Sequence, residues 1–150
     1  MTAAGRWLFA DQLGPHFLGS PDQQVLLVES THVLRRRRYH RQKAHYVLSG
    51  LRHRARELGD RATYVLAPTY GEVVRSYAAL EVPTPTSRAA EAFVRSLPGV
   101  TLVHTPYTAT TREEFLEWAG DRKRLLMEDF YRSQRLRHDL LVEGGGVSRS

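Results

Sequence analysis

Residues 6–10, 25–29, 63–67 and 101–105 are short runs rich in Val, Leu, Thr and aromatic residues, and all four read as strands. Three of them are nearly continuous apolar runs rather than alternations. That pattern belongs to strands covered on both faces and predicts a parallel sheet. Between the second and third runs Ala44, Val47, Leu48, Leu51, Ala55 and Leu58 recur at helical spacing, and Gly59 stands where a helix stop is expected. The three pieces make a strand-helix-strand unit. Residues 72–79 and 87–97 also follow a helical period, with a further strand at 80–82 and with Pro83 and Pro85 breaking the chain between them.

The last third reads as helical. Thr110 or Thr111 can cap a helix over 112–119, with Glu113 and Glu114 in its first turn, where the helix dipole favours acids. Gly120 interrupts it. From Arg124 the apolar positions Leu125, Met127, Phe130, Tyr131, Leu136, Leu140 and Leu141 predict one long amphipathic helix over 124–141. Strands alternating with helices imply an α/β fold, a Rossmann-like open parallel sheet with helices on both faces. A length of 150 residues and a hydrophobic content of 41% suit one compact domain, expected over 1–142, with a Gly/Ser-rich tail over 143–150.

Charge changes the picture locally. The chain carries a net charge of +6, yet residues 30–56 alone hold nine Arg or Lys and no Asp or Glu, so the remainder is net negative. Arg35, Arg36, Arg37, Arg38 and Arg41 form the centre of this patch, with His32, His40, His45 and His53 interleaved. Such a cluster attracts phosphate and supports weak DNA binding; it is equally the composition of a solvated helix face. The chain has no cysteine, so disulfides and a thiolate-held iron-sulfur cluster are excluded. No apolar run approaches a spanning length, and the expectation is a cytoplasmic protein with no membrane contact.

Recognised catalytic words are missing. No Gly-x-Gly-x-x-Gly or phosphate loop follows the first strand, no Gly-x-Ser-x-Gly elbow occurs, and no two histidines stand three or four residues apart in a metal-binding pair, so no catalytic or metal-ligating residue is assigned. In an open parallel sheet the chemistry gathers at the carboxyl ends of the strands. There the chain offers Asp11 and Gln12 after the first strand and Glu29 after the second. Asp11 and Gln12 can hydrogen-bond the edge of a heterocycle or tie the loop over 13–24. Glu29 can face a ligand or form a buried ion pair with Lys43 or Arg52.

Phe9-Ala10-Asp11-Gln12-Leu13, Val28-Glu29, Gln42-Lys43, Leu51-Arg52-His53 and the stretch 112–131 with Trp118-Ala119 and Met127-Glu128 together resemble the amino-terminal antenna domain of the bacterial photolyase-related proteins, the iron-sulfur cryptochrome and photolyase branch. The resemblance covers roughly residues 5 to 142. It implies an antenna or accessory domain of a DNA photorepair or blue-light protein, binding 6,7-dimethyl-8-ribityllumazine or a flavin-type pigment. The residues it implies for that pigment are Phe9, Ala10, Asp11, Gln12, Glu29, Lys43 and Val47, the last as an apolar wall. Relatives carry FAD and an iron-sulfur cluster in a second, helical domain. Neither is expected in this chain, which is therefore expected to be inactive as a lyase alone and to need a flavin-domain partner or the carboxyl-terminal half. The last helix, with Phe130, Tyr131 and Leu140, is expected to expose an apolar strip that favours self-association.

Overall fold

A computed structural model describes residues 5–36, 39–105, 107–143 and 146–147. The chain divides into two compact units, Met1–Tyr107 and Thr108–Ser150. In the first, strands β1 (Gly5–Leu8), β2 (Val25–Ser30), β3 (Ala62–Ala67), β4 (Leu80–Pro83) and β5 (Val100–Val103) form one all-parallel sheet in the order β3-β2-β1-β4-β5. Helices α1 (Thr31–Arg36), α2 (Arg41–Leu58), α3 (Tyr70–Val74) and α4 (Arg88–Arg95) connect the strands. This is the α/β, Rossmann-like architecture that the apolar runs predict.

Alternation along each strand sorts two cores. Trp7, Leu26, Val28, Leu80 and Val82 point to one face, where Val73 and Val74 of α3 and Val94 of α4 cover them. Leu8, Val25 and Leu27 point to the other, against Leu51, Ala55 and Leu58 of α2 and Phe17 of a short 3₁₀ turn. All six positions of β2 are buried, because it is flanked by strands on both sides and by helices on both faces. Burying Leu51 alone contributes roughly 2 kcal/mol.

The helix ends follow local chemistry. The Ser30 hydroxyl accepts from the Val33 amide at 3.4 Å and donates to the Pro68 carbonyl at 3.0 Å, so one side chain starts α1 and ties it to the end of β3. Gly59 ends α2 at φ 55°, a conformation glycine adopts without strain. Most expected bounds lie within two residues of the observed ones, and two helices depart further. The helix expected over 72–79 stops at Val74: the Ser76 and Tyr77 amides turn back to Val73 and Val74, and Ala79 is drawn to the sheet, where its carbonyl accepts from Gly5 at 3.3 Å. The helix expected over 124–141 is α6, Met127–Arg137.

In the second unit α5 (Arg112–Ala119) is closed by a capping box, in which Thr111 accepts from the Glu114 amide at 3.2 Å and Glu114 accepts from the Thr111 amide at 2.7 Å. Helix α6 starts only at Met127 because Leu126 is extended, and it ends through a left-handed Asp139 at φ 51° with the Leu140 amide donating to the Arg135 carbonyl at 2.9 Å. Phe130 packs inward against Phe115 and Trp118, while Tyr131 and Leu140 are exposed, so the apolar strip expected on the last helix lacks Phe130. Short strands β6 (Val142–Glu143) and β7 (Gly146–Val147) pair antiparallel within the tail. Among the described residues no helix is long and apolar enough to cross a membrane.

The Thr111 amide, and then the Arg137 guanidinium, hold the Glu114 carboxyl down to about 2 from its ordinary 4.5. A lowered folded-state pKa stabilises above the unfolded value, and that stabilisation is lost as pH falls from 4.5 through 2. Glu114→Gln is therefore expected to lower the melting temperature above pH 5 and to approach the parent near pH 2. Circular dichroism melts across that range check it; a parent–variant difference independent of pH contradicts the linkage.

Candidate functional site

In the order β3-β2-β1-β4-β5 the connections reverse between β1 and β4, the topological switch point outside whose carboxyl edge an open parallel sheet is expected to have its crevice. Phe9, Ala10, Asp11 and Gln12 leave β1 there. The half-buried Phe9 ring packs on Trp7 at 4.7 Å and edge-on to Tyr70 at 5.5 Å, which fixes where the loop departs. Ala10 and Leu13 pack against the α2 side of the sheet. Asp11 is exposed, and its backbone carbonyl accepts from the Tyr107 hydroxyl.

Gln12 is 1% exposed and bridges the switch point. Its carbonyl oxygen accepts from the Phe9 amide at 3.2 Å, and its amide nitrogen donates to the Pro83 carbonyl at 2.7 Å. Pro83 ends β4, so one side chain joins the two loops that flank the crevice. Both ends of the Gln12 amide are thereby engaged within the fold.

Glu29 lies one residue before the end of β2 and is 7% exposed. A buried carboxylate needs partners. It has two: Arg52 of α2 donates to both of its oxygens, at 3.0 and 3.3 Å, and the Tyr64 hydroxyl of β3 donates to it as well. Arg52 closes the triangle by donating to the Tyr64 hydroxyl at 3.3 Å. Hydrogen bonds to Tyr64 and then Glu29 push the Arg52 pKa up, and burial, then the Glu29 carboxylate, push the Tyr64 phenol up. Of the two cations weighed for Glu29, it is Arg52 that reaches it.

This triangle fixes how far α2 slides along the sheet. In a β2-α2-β3 unit with parallel strands the helix runs back against them, and Arg52 is held near the carboxyl end of β2. The first three turns of α2, about 16 Å at 1.5 Å per residue, therefore lie beyond that point. Consistently, Leu51 is buried in the core with the half-buried Ala55 and Leu58 packed against it, whereas the half-buried Ala44, Val47 and Leu48 are not part of that cluster. Val47 and Lys43 stand one turn apart on the flank that also carries Gly50. A Cβ on Gly50 would come 3.3 Å from Leu13, so this flank faces the loop after β1. Lys43 is exposed and stacks its ammonium over Tyr39 at 5.7 Å.

The site thus has a floor at Ala10 and Asp11 and a projecting wall at Lys43 and Val47, with Gln12 and Glu29 beneath as internal ties and the Phe9 ring anchored on the opposite face of the sheet. These surroundings combine an apolar wall, an exposed carboxylate at Asp11 that can accept hydrogen bonds and an exposed ammonium at Lys43 that can donate them. Tyr64 and Tyr107, which hold the site, were not singled out from the sequence; Tyr107 meets Asp11 across 96 positions and no local pattern marks it. Arg35, Arg36 and Arg41 are exposed at the end of α1 and the start of α2, and Arg37 and Arg38 lie outside the described residues. Among the described residues no cluster of three or more His, Asp or Glu could hold a metal ion. The second unit separately forms an open, largely apolar groove of about 710 Å³ between Thr110, Phe115, Phe130, Tyr131 and Leu140.

Gln12→Ala removes one buried and one partly buried hydrogen bond and leaves the Pro83 carbonyl without its partner, an expected loss of roughly 2–4 kcal/mol. Urea unfolding should show a lower midpoint with an unchanged slope. An unchanged midpoint would mean that the loops do not depend on this bridge.

The family model described as deoxyribodipyrimidine photo-lyase-related protein matches residues 6–148. No curated protein matches the chain.

Proposed function

The chain belongs to the deoxyribodipyrimidine photo-lyase-related protein family, and from that membership we propose that its parallel sheet is an antenna-type domain taking a ribityllumazine or flavin-type pigment at the carboxyl edge. The observation that supports this reading most is the projection of α2 past the Glu29–Arg52–Tyr64 triangle, which sets Val47 and Lys43 over the loop that carries Phe9, Ala10 and Asp11. When bound, the pigment would absorb light and pass the excitation to a flavin held outside this chain. The residues of the chain would do the holding: Val47 and Ala10 exclude water from the ring, and Asp11 and Lys43 fix its polar edge, while Phe9 anchors the loop from the opposite face of the sheet. No lesion-repair step is assigned to the chain itself.

Protein produced in a lumazine-synthesising host is expected to carry a violet-to-blue absorption band that the polypeptide lacks. Added ribityllumazine should raise the melting temperature, since a ligand at a hundred times its Kd stabilises by about 2.7 kcal/mol. Val47→Asp should abolish both signals while leaving the fold intact. A colourless protein with no shift at saturating ligand overturns the reading.

A second reading, phosphate binding, is supported by the exposure of Arg35, Arg36 and Arg41 in a segment without a single acid. Contacts of this kind bind DNA weakly and without base preference, and each lost phosphate contact lowers the salt slope by about 0.9. Replacing Arg35 and Arg36 by Gln is expected to flatten the dependence of DNA affinity on salt. An unchanged slope assigns the cluster to a solvated face.

A further inference from the structure

Among the described residues strand β3 is the edge of the sheet, paired to β2 on one side only. Proteins usually guard such an edge with lysine, proline, an inward charge or a bulge, because its outward amides and carbonyls invite another strand. Residues 62–67, Ala-Thr-Tyr-Val-Leu-Ala, carry none of the side-chain guards, and Leu66 is 61% exposed. The edge is also charged along one flank. Arg52, which bonds Tyr64 of this strand, is 57% exposed, and Arg56 lies one turn further on the same stripe of α2. Because α2 runs against the strands, Arg56 falls toward the start of β3. Arg41 and His45 continue the stripe toward its end.

From these observations we propose that the outer edge of β3 receives an extended acidic segment of a partner protein, which adds a sixth strand to the sheet. Backbone hydrogen bonds would supply pairing, and alternate side chains would be read separately on the two faces. Carboxylates on the α2 side meet the Arg52–Arg56 stripe. A second copy of the chain is disfavoured as the occupant: pairing β3 with its own symmetry mate about an axis normal to the sheet would set two basic α2 flanks side by side.

The test uses the full chain and three capped hexapeptides alternating Val with Glu, Gln or Lys. The Glu peptide is expected to slow hydrogen exchange at the outward amides of β3 and to bind about fivefold more tightly than the Gln peptide, a difference that salt removes. Arg56→Glu should erase that preference, whereas Arg88→Glu on α4 makes the same charge change away from β3 and should leave it intact. Equal binding of the Glu and Lys peptides, or no protection of β3 by any peptide, overturns the proposal. Protection that grows with protein concentration in the absence of peptide, together with a dimer in sedimentation, overturns it in favour of a second copy.

Discussion

A carboxylate held almost wholly out of water sets the terms for the rest of the first unit. Glu29 has to be buried because β2 is central enough to be covered on both faces, and a carboxylate so placed is tolerable only with hydrogen-bonded cationic or hydroxyl partners. Arg52 and Tyr64 come from two later elements of the chain, α2 and β3. Satisfying one charge therefore aligns β2, α2 and β3 with one another. The apolar contacts of Leu51, Ala55 and Leu58 hold α2 to the sheet but do not by themselves choose its position along the strands, since hydrophobic attraction is not directional. The ion pair makes that choice.

Two surfaces inherit their shape from it. On the β1 side, the projecting turns of α2 overlook the loop after β1 and make the crevice there. On the β3 side, the same helix presents a cationic stripe beside an open strand edge. The Arg52 guanidinium belongs to both, as the internal partner of Glu29 and as a half-exposed charge on the flank. A single side chain thus links the register of the helix to the electrostatics of the edge.

The fold was largely legible in the sequence because a doubly covered parallel strand leaves a plain mark, an apolar run a few residues long, and all five strands were placed within one or two residues of their observed bounds. Helix length was less legible. The period of 3.6 continues through Ala79 and through Arg124–Leu126, but tertiary demands ended the helices first: Ala79 is taken by the sheet, and Leu126 is extended. At the site, the types of residue at the strand ends were readable, and the polar alternatives for Gln12 and Glu29 could be named. Which alternative holds depends on Pro83 and Tyr64, at distances of 71 and 35 positions, and on whether Lys43 or Arg52 ends up level with the strand. Periodicity carries no information about such separations.

The bridge from Gln12 to Pro83 bears on the order in which the molecule can be completed during synthesis. Strand β1 is made first, yet it occupies the middle of the sheet, and its second neighbour is β4, whose last residue, Pro83, emerges 71 residues after Gln12. Until then the strands β1, β2 and β3 can form a three-stranded half with α2 across it, stapled by the Glu29 triangle, while the Gln12 amide has no carbonyl to meet. The loop at Phe9–Leu13 is consequently the last part of the early half to become fixed. On a growing chain the helical wall of the crevice is in place before the loop beneath it is tied down.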